Sequence, residues 1–121
     1  LQAPDGAEWT VTIHPDPVLL FRYSAVTFNG HRIHYDRDYC RQVEGYDGLV
    51  VHGPLIATLL LEHAGRRYPN LNLSRYSFRA LSPTLDTRPF KVSGARDGDR
   101  LTLWASSMDG GLAMQADAQC A

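Results

Sequence analysis

The stretch GLVVHGPLIATLLL, residues 48–61, decides the fold of this chain. It begins with a short apolar segment, passes through His52-Gly53-Pro54, and continues as a helix that we predict from Pro54 to about Tyr68. So wide an apolar helix face needs cover from a whole sheet rather than from one neighbouring helix. The residues of that face recur at helical spacing and are Leu55, Ile56, Leu59, Leu60, Leu61 and Ala64.

The start of this helix is a candidate site for a developing negative charge. Backbone N–H groups in the first helical turn have no partners within the helix, and they lie at the positive end of its dipole. The N–H of Gly53 could therefore hold a carbonyl oxygen that becomes negative during a reaction. We expect His52 to brace the loop with its side chain. The alternative interpretation of the whole motif is a simple helix cap.

A second polar cluster, NGHRIHYD, occupies residues 29–36 upstream of the helix. His34 is the candidate general base, because the unperturbed pKa of histidine lies near neutrality; a structural hydrogen bond is the alternative. His31 could contact a ligand or cap the loop. Asp36 could orient a histidine, as carboxylates do in catalytic triads, or cap a short helix that begins at Arg37.

The flanking segments predict one α+β domain over residues 1–121. Residues 9–13 alternate as a strand, Asp16 is placed to cap a helix from Pro17 to about Phe28, and a short helix is expected over residues 37–43. From Leu71 onward the apolar period becomes two, with turns at 97–99 and 109–111. One strand, a long buried helix and a meander of three or four antiparallel strands is the order of the hotdog fold, a sheet wrapped around a helix.

Composition restricts the class of partner and the cellular compartment. A net charge of −1 gives no general reason to expect nucleic acid or an anionic membrane as a partner. No apolar run approaches the roughly 20 residues of a membrane span. Cys40 and Cys120 lack metal-site spacing, so we expect reduced thiols of a cytoplasmic protein. The chain begins at Leu1 rather than Met, which leads us to expect further sequence upstream.

Two segments resemble the MaoC-like hydratases and dehydratases: FRYSAVTFNGHRIHYD at residues 21–36 and GLVVHGPL at residues 48–55. Within that family they are most similar to the branch of mesaconyl-CoA hydratases and type 2 hydroxyacyl-thioester dehydratases, and the resemblance spans nearly the whole chain. It implies a lyase that adds or removes water across the α,β double bond of an acyl thioester. Coenzyme A, or acyl carrier protein, would carry the acyl group, with no separate cofactor. His31, His34 and His52 could in principle bind a metal, but cysteine or paired carboxylate ligands at metal-site spacing are lacking nearby, so we expect no metal site.

The catalytic signature of the wider family is D-x-N-P-x-H, and this chain departs from it. Anchored on the final histidine, the signature matches residues 29–34, so that His34 takes the histidine position and Asn29 the acid position. His31 then replaces asparagine, and Arg32 replaces proline. With a gap allowed, Asn29 matches the asparagine and Thr27 falls at the acid position. Either way the carboxylate is absent, as it is in the mesaconyl-type branch.

The resemblance assigns roles to these positions. His34 would act as general base, Asn29 would hold water or substrate, and the Gly53 N–H would bind the thioester oxygen. Supporting or substrate-binding roles fall to His31, Arg32, Asp36 and His52. Arg32 or Arg79 could bind a phosphate of coenzyme A or a free carboxylate of the acyl group, and solvated surface charges are the alternative.

Two further functions remain open on sequence alone. The missing carboxylate permits a hotdog subunit that binds acyl thioesters or a partner subunit without catalysis. A thioesterase would need a carboxylate facing the thioester carbon, and no candidate is well placed. In any of these cases, exposed sheet edges invite pairing, so we expect a homodimer or a pairing with a sister hotdog half.

Overall fold

One sheet and one long helix make up most of the fold in the computed structural model, which describes residues 1–121. The predicted α+β hotdog class is confirmed. In chain order the elements are β1 (Trp9–Ile13), α1 (Pro17–Val26), a 3₁₀ turn (Arg32–His34), α2 (Arg37–Tyr39) continuing as a π-helical turn (Cys40–Glu44), α3 (Gly53–Arg67), β2 (Leu73–Ala80), β3 (Phe90–Asp97), β4 (Arg100–Ser107) and β5 (Leu112–Cys120).

The sheet is antiparallel throughout, with the strand order β1-β3-β4-β5-β2. Strands β3, β4 and β5 form a meander whose two turns contain Gly98 and Gly110, at φ values of 63° and 92°. Glycine adopts this left-handed conformation without steric cost. Strand β2 precedes the meander in sequence but lies beyond β5, so the meander has three strands, and β1 and β2 are the edges.

Helix α3 packs its apolar face on the three meander strands. Leu60 and Ala64 are fully buried, and Ala57 is buried with them because positions 57, 60 and 64 follow helical spacing. Leu59 and Leu61, which the sequence predicts on the buried face, are only half-buried at its margin. The buried sheet residues that meet this helix layer are Val92, Leu101, Leu103, Ala105, Met114, Ala116 and Ala118.

Helix α1 begins as predicted, because Asp16 Oδ1 accepts a hydrogen bond from the Leu19 N–H at 2.8 Å. It ends at Val26, two residues earlier than expected, and Phe28 adopts a φ of 55° that is incompatible with a continuing helix. This termination places the polar residues 29–36 in a turn outside the helix.

Residues 49–51 are fixed to residues 84–86 just before α3 begins. The Val51 N–H donates to Thr84 O, and the Asp86 N–H donates to Leu49 O, at 2.8 and 2.9 Å. The buried Asp86 carboxylate also accepts the Leu49 N–H and pairs with Arg37 at 2.7 Å. The start of α3 is therefore held against the connection between β2 and β3.

Candidate active site

His34 is held in one tautomer by a backbone carbonyl. Its Nδ1 lies 2.6 Å from Val50 O. A carbonyl oxygen can only accept, so Nδ1 carries the proton and the Nε2 of neutral His34 is left as an acceptor. Nε2 has no hydrogen-bond partner in the chain and is not sealed from solvent. Burial lowers the pKa of His34, against the opposing effect of the Val50 hydrogen bond, with His31 lowering it further. The neutral base form is therefore favoured near pH 7.

The same backbone segment connects the histidine turn to the start of α3. The Val50 N–H donates to Ile33 O at 2.8 Å, while the Val50 carbonyl accepts from His34. The thiol of Cys40 also donates to Ile33 O, at 3.0 Å. These contacts hold the turn that contains His34 against the segment that precedes α3.

His52 lies directly behind His34. The two imidazole rings are stacked, with centroids 3.7 Å apart and planes inclined by 18°. His52 is 1% exposed, and its Nε2 lies 2.8 Å from Ser24 Oγ. Burial, followed by the nearby His34, lowers the pKa of His52 to about 4, so its ring is neutral at physiological pH. His52 is thus a sealed packing partner rather than a proton-exchanging group.

The N–H of Gly53 has no hydrogen-bond partner within the chain. Gly53 is the first residue of the 15-residue helix α3, where such a donor is aligned with the helix dipole. It lines a cleft of about 320 Å³ that Val50, Val51, Ile56 and Met114 border with apolar atoms. His34 does not line this cleft, but its hydrogen-bond partner Val50 does. A larger cleft of about 530 Å³ shares residues 81–84 with it and contains neither His34 nor Gly53.

Asn29 lies in the turn that follows α1, and its backbone N–H donates to Ser24 O at 2.9 Å. Its Oδ1 accepts the His31 N–H at 3.1 Å, and it makes no hydrogen bond to His34 or to Gly53. It lines a separate shallow hollow with Phe21, Phe28 and Tyr35. His31 is exposed and meets His34 edge-on, with ring centroids 5.9 Å apart. Within this chain Asn29 and the Gly53 donor therefore face different hollows.

Asp36 does not orient a histidine. One carboxylate oxygen accepts the Tyr39 N–H at 3.0 Å as the cap of α2, and the other pairs with Arg32 at 2.8 Å. The capping alternative is therefore the correct one, because a backbone carbonyl already occupies the Nδ1 of His34. The guanidinium of Arg32 also lies over the ring of Tyr39, at 4.3 Å. Arg79, on the edge strand β2, is exposed and forms no ion pair.

Sequence reasoning missed Ser24 and Val50, the two groups that fix the histidine pair. A buried serine within an apolar helix, such as Ser24 in α1, is a signal that a polar partner must exist, but the sequence does not say which partner. The carbonyl of Val50 gives no signal at all, because every residue has one.

No group of three or more histidine, cysteine or acidic side chains is arranged to hold a metal ion. None of the helices combines the length and the apolar character needed to cross a membrane.

The chain is similar to characterised acyl-thioester hydratases and dehydratases. Residues 2–86 match the family model of type 2 hydroxyacyl-thioester dehydratases. The chain is 51% identical over 107 residues to mesaconyl-C(4)-CoA hydratase of Chloroflexus aurantiacus, covering 88% of this chain and 38% of that protein. It is 39% identical over 98 residues to the mitochondrial type 2 hydroxyacyl-thioester dehydratase of Schizosaccharomyces pombe, covering 79% and 31%. The chain thus spans less than two fifths of the length of these relatives.

Solved structures agree with the fold. An (R)-hydratase from A. caviae involved in PHA biosynthesis superposes with a TM-score of 0.80 at 16% identity, over 98% of this chain and 96% of that one. A chain of the ChsH1-ChsH2 complex from Mycobacterium tuberculosis superposes with a TM-score of 0.79 at 14% identity, over 100% and 98%. With the family model covering most of the sequence, the chain belongs to the type 2 hydroxyacyl-thioester dehydratase family.

Proposed function

We propose that this chain provides the catalytic centre of an acyl-thioester hydratase or dehydratase, with His34 as the general base. One observation carries the proposal: His34 is fixed with Nε2 free and is stacked on His52, the residue that directly precedes the unpaired Gly53 N–H. The base His34 and the oxyanion donor of Gly53 are thereby connected through the packed ring of His52. The identity to mesaconyl-C(4)-CoA hydratase supports the same reaction class.

A single base is sufficient for the proposed hydration, because the proton that it takes from water is the proton that it returns to Cα. The water oxygen bonds to Cβ while its proton passes to His34 Nε2, and the π electrons move to the thioester oxygen. The Gly53 N–H holds this oxyanion, a contribution of about 3 kcal/mol for a well-aligned donor. The proton then returns from Nε2 to Cα, which regenerates the thioester carbonyl and neutral His34. Dehydration is the reverse of these steps.

Asn29 would assist without exchanging protons. An amide can donate and accept hydrogen bonds but cannot take up a proton as a carboxylate would. Its carbonyl oxygen is engaged by the His31 N–H, so its amide NH₂ is the group left to hold a water molecule. This division leaves His34 as the residue that must carry the proton in both half-steps.

Coenzyme A is the proposed carrier of the acyl group, and no separate cofactor is proposed. The acyl group would lie in the apolar cleft beside Gly53. Of the two arginines considered for anionic groups, Arg32 is occupied by Asp36 and Tyr39, whereas Arg79 forms no ion pair. Arg79 is therefore the better candidate to bind a phosphate of coenzyme A.

A second hotdog unit is the proposed partner. The chain spans 38% and 31% of the length of the two curated relatives. These lengths are as compatible with a sister half in one longer protein as with a homodimer. The ChsH1-ChsH2 structure is a complex of two proteins, and it supports pairing in this fold. Cys40 and Cys120 are both free thiols. A cytoplasmic location is part of the proposal.

A second candidate function is a hotdog subunit that binds acyl thioesters or a partner without turnover. It is favoured by Asn29, which stands at the family acid position and uses its side-chain oxygen to hold the loop. This candidate predicts thioester binding in the absence of any change at the double bond.

The test is a panel of crotonyl-, mesaconyl- and longer enoyl-CoA thioesters, with water addition followed at the double bond by the full-length protein. Hydration of at least one member supports the enzyme, and binding without hydration supports the non-catalytic subunit.

A second experiment tests whether Arg79 binds a phosphate of coenzyme A. It uses matched N-acetylcysteamine thioesters, which lack the nucleotide. Arg79→Met should raise KM for the coenzyme A substrate and leave KM for its nucleotide-free counterpart unchanged, while an equal rise for both would exclude phosphate binding by Arg79.

A further inference from the structure

The base candidate His34 is supported from behind by a chain of buried contacts that begins on α1. We propose that Ser24 is a positioning residue for His34, acting through the ring of His52. This inference rests on the proposed function only in treating His34 as the base. The effect on the His34 ring itself can be measured without any substrate.

The contacts are continuous from one element to the next. Ser24 lies on α1 and is 6% exposed, and its Oγ is 2.8 Å from His52 Nε2. His52 precedes α3 and presents the flat face of its ring to His34, with a centroid separation of 3.7 Å. His34 in turn sits in the turn that precedes α2. The two imidazole rings thus connect α1, the start of α3 and the turn that precedes α2.

The Ser24 hydroxyl is the sole hydrogen-bond partner of the His52 side chain. The Nδ1 of His52 is sealed from solvent and has no partner. Tyr23 contacts the His52 ring edge-on, at a centroid separation of 4.7 Å, but an aromatic contact of this type does not define the rotation of the ring. Loss of the Ser24 hydroxyl leaves a buried imidazole with no hydrogen bond. We then expect the His52 ring to turn away from His34, or water to enter beside it.

The surroundings of His34 determine in which direction its pKa should change when the Ser24 hydroxyl is lost. The groups facing His34 are the stacked His52, the edge of His31 and the Val50 carbonyl, and Tyr23 faces His52. Asp36 is committed to Arg32 and to the Tyr39 N–H. Burial is the main cause that lowers the pKa of His34. Looser packing behind the ring admits water, so that pKa should rise toward its ordinary value.

Ser93 provides a matched control. It is 4% exposed, and its Oγ lies 3.0 Å from Thr10 Oγ1 between β1 and β3, with no hydrogen bond to His34 or His52. Ser93→Ala therefore removes a buried, hydrogen-bonded serine hydroxyl just as Ser24→Ala does. A general loss of stability would affect both variants, whereas a positioning effect on His34 is specific to Ser24.

The experiment is an NMR titration of the His34 ring in the full-length protein, paired with pH-dependent kinetics. The His34 signals are assigned by their absence in His34→Ala. Ser24→Ala should raise the titration midpoint of His34, lower kcat roughly tenfold or more, and leave KM within about twofold, since misplaced catalytic groups act on turnover. Ser24→Cys, which keeps the size with a weaker hydrogen-bonding group, should give an intermediate effect. Ser93→Ala should match wild type in both measurements.

Each outcome decides the inference. A His34 titration in Ser24→Ala or Ser24→Cys that coincides with wild type overturns it, as does an equal shift in Ser93→Ala. If the titration shifts only in the Ser24 variants while the wild-type protein hydrates no thioester, the proposed function fails and the positioning of His34 by Ser24 stands. Shifts in both titration and kcat support the two together.

Discussion

The two stacked histidines differ in every contact that decides their chemistry. The Nε2 of His34 is open, whereas the Nε2 of His52 is bound to Ser24 and the rest of its ring is sealed. The sequence indicated a structural role for His52 and a catalytic role for His34, and the geometry is compatible with that division. The stacking itself could not be predicted, since it depends on how α1, the 3₁₀ turn and α3 pack together.

The pH dependence of folding should reflect these buried rings. The pKa of His52 is lowered to about 4, so the unfolded chain binds more protons between pH 6.5 and pH 4, and stability must rise with pH in that window. The lowered pKa of His34 acts in the same direction. We expect the free energy of unfolding in urea to fall by on the order of 1–3 kcal/mol between pH 6.5 and pH 4.5.

The control for this prediction is His14→Ala, which removes an exposed histidine and should keep the same pH dependence. His52→Phe retains a buried ring without a titrating group and should reduce the slope. An unfolding free energy that stays constant or rises on acidification over this range would contradict the assignment of His52 as buried and neutral.

Asn29 should tolerate conversion to the family acid. Asn29→Asp keeps a side-chain oxygen to accept the His31 N–H and adds a carboxylate at the family acid position. We expect Asn29→Asp to retain or increase activity toward simple enoyl thioesters, and Asn29→Ala to reduce it substantially. Equal and near-normal rates for the two variants, measured on crotonyl-CoA, would make Asn29 a loop residue without a catalytic role.

Local signals in the sequence were sufficient for most elements. The Asp16-Pro17 pair marked the start of α1, and the glycines at 98 and 110 marked the two turns of the meander. The end of α1 was misplaced because nothing in the sequence requires Phe28 to adopt a left-handed conformation. The position of β2 beyond β5 depends on long-range pairing, which strand periodicity does not encode.

The first turn of α3 allows the oxyanion donor to be tested without changing a side chain that carries chemistry. Gly53→Pro deletes the N–H at a helical position where proline is tolerated. We expect kcat for enoyl-CoA hydration to fall about 100-fold or more, the usual cost of losing one oxyanion-hole donor.

Gly53→Ala is the matched variant that keeps the N–H. A Cβ at this position would meet Met114 Cε at 3.8 Å, an ordinary contact, so the protein should fold normally and retain far more activity than Gly53→Pro. If the two variants lost activity equally while retaining native circular dichroism, the N–H would not be the oxyanion donor.

The surface of the single chain exposes several large apolar side chains. Phe28 is 95% exposed and Val26 74% exposed next to the turn of residues 29–36, and Phe78 is 46% exposed on the edge strand β2. Exposed apolar side chains such as those of Phe28 and Val26 are a feature of interaction surfaces, and an unpaired edge strand invites a partner.

We therefore expect the active protein to contain two hotdog units. Light scattering of the 121-residue chain should give at least twice its monomer mass of 13.5 kDa, or the full-length protein should carry both units in one chain. Measuring both forms distinguishes the homodimer from the sister half. A fully active, monodisperse species of 13.5 kDa would contradict a requirement for pairing.

The proposed role of His34 as the residue that moves the proton in thioester hydration is tested by the rate of crotonyl- or mesaconyl-CoA hydration by wild type and His34→Ala. His14→Ala serves as the exposed-histidine control, and circular dichroism establishes that each variant is folded. We expect a loss of at least 100-fold in kcat for His34→Ala and none for His14→Ala, in keeping with the contribution of a general base. A folded His34→Ala protein that hydrates the thioester at a near wild-type rate would remove His34 from the mechanism.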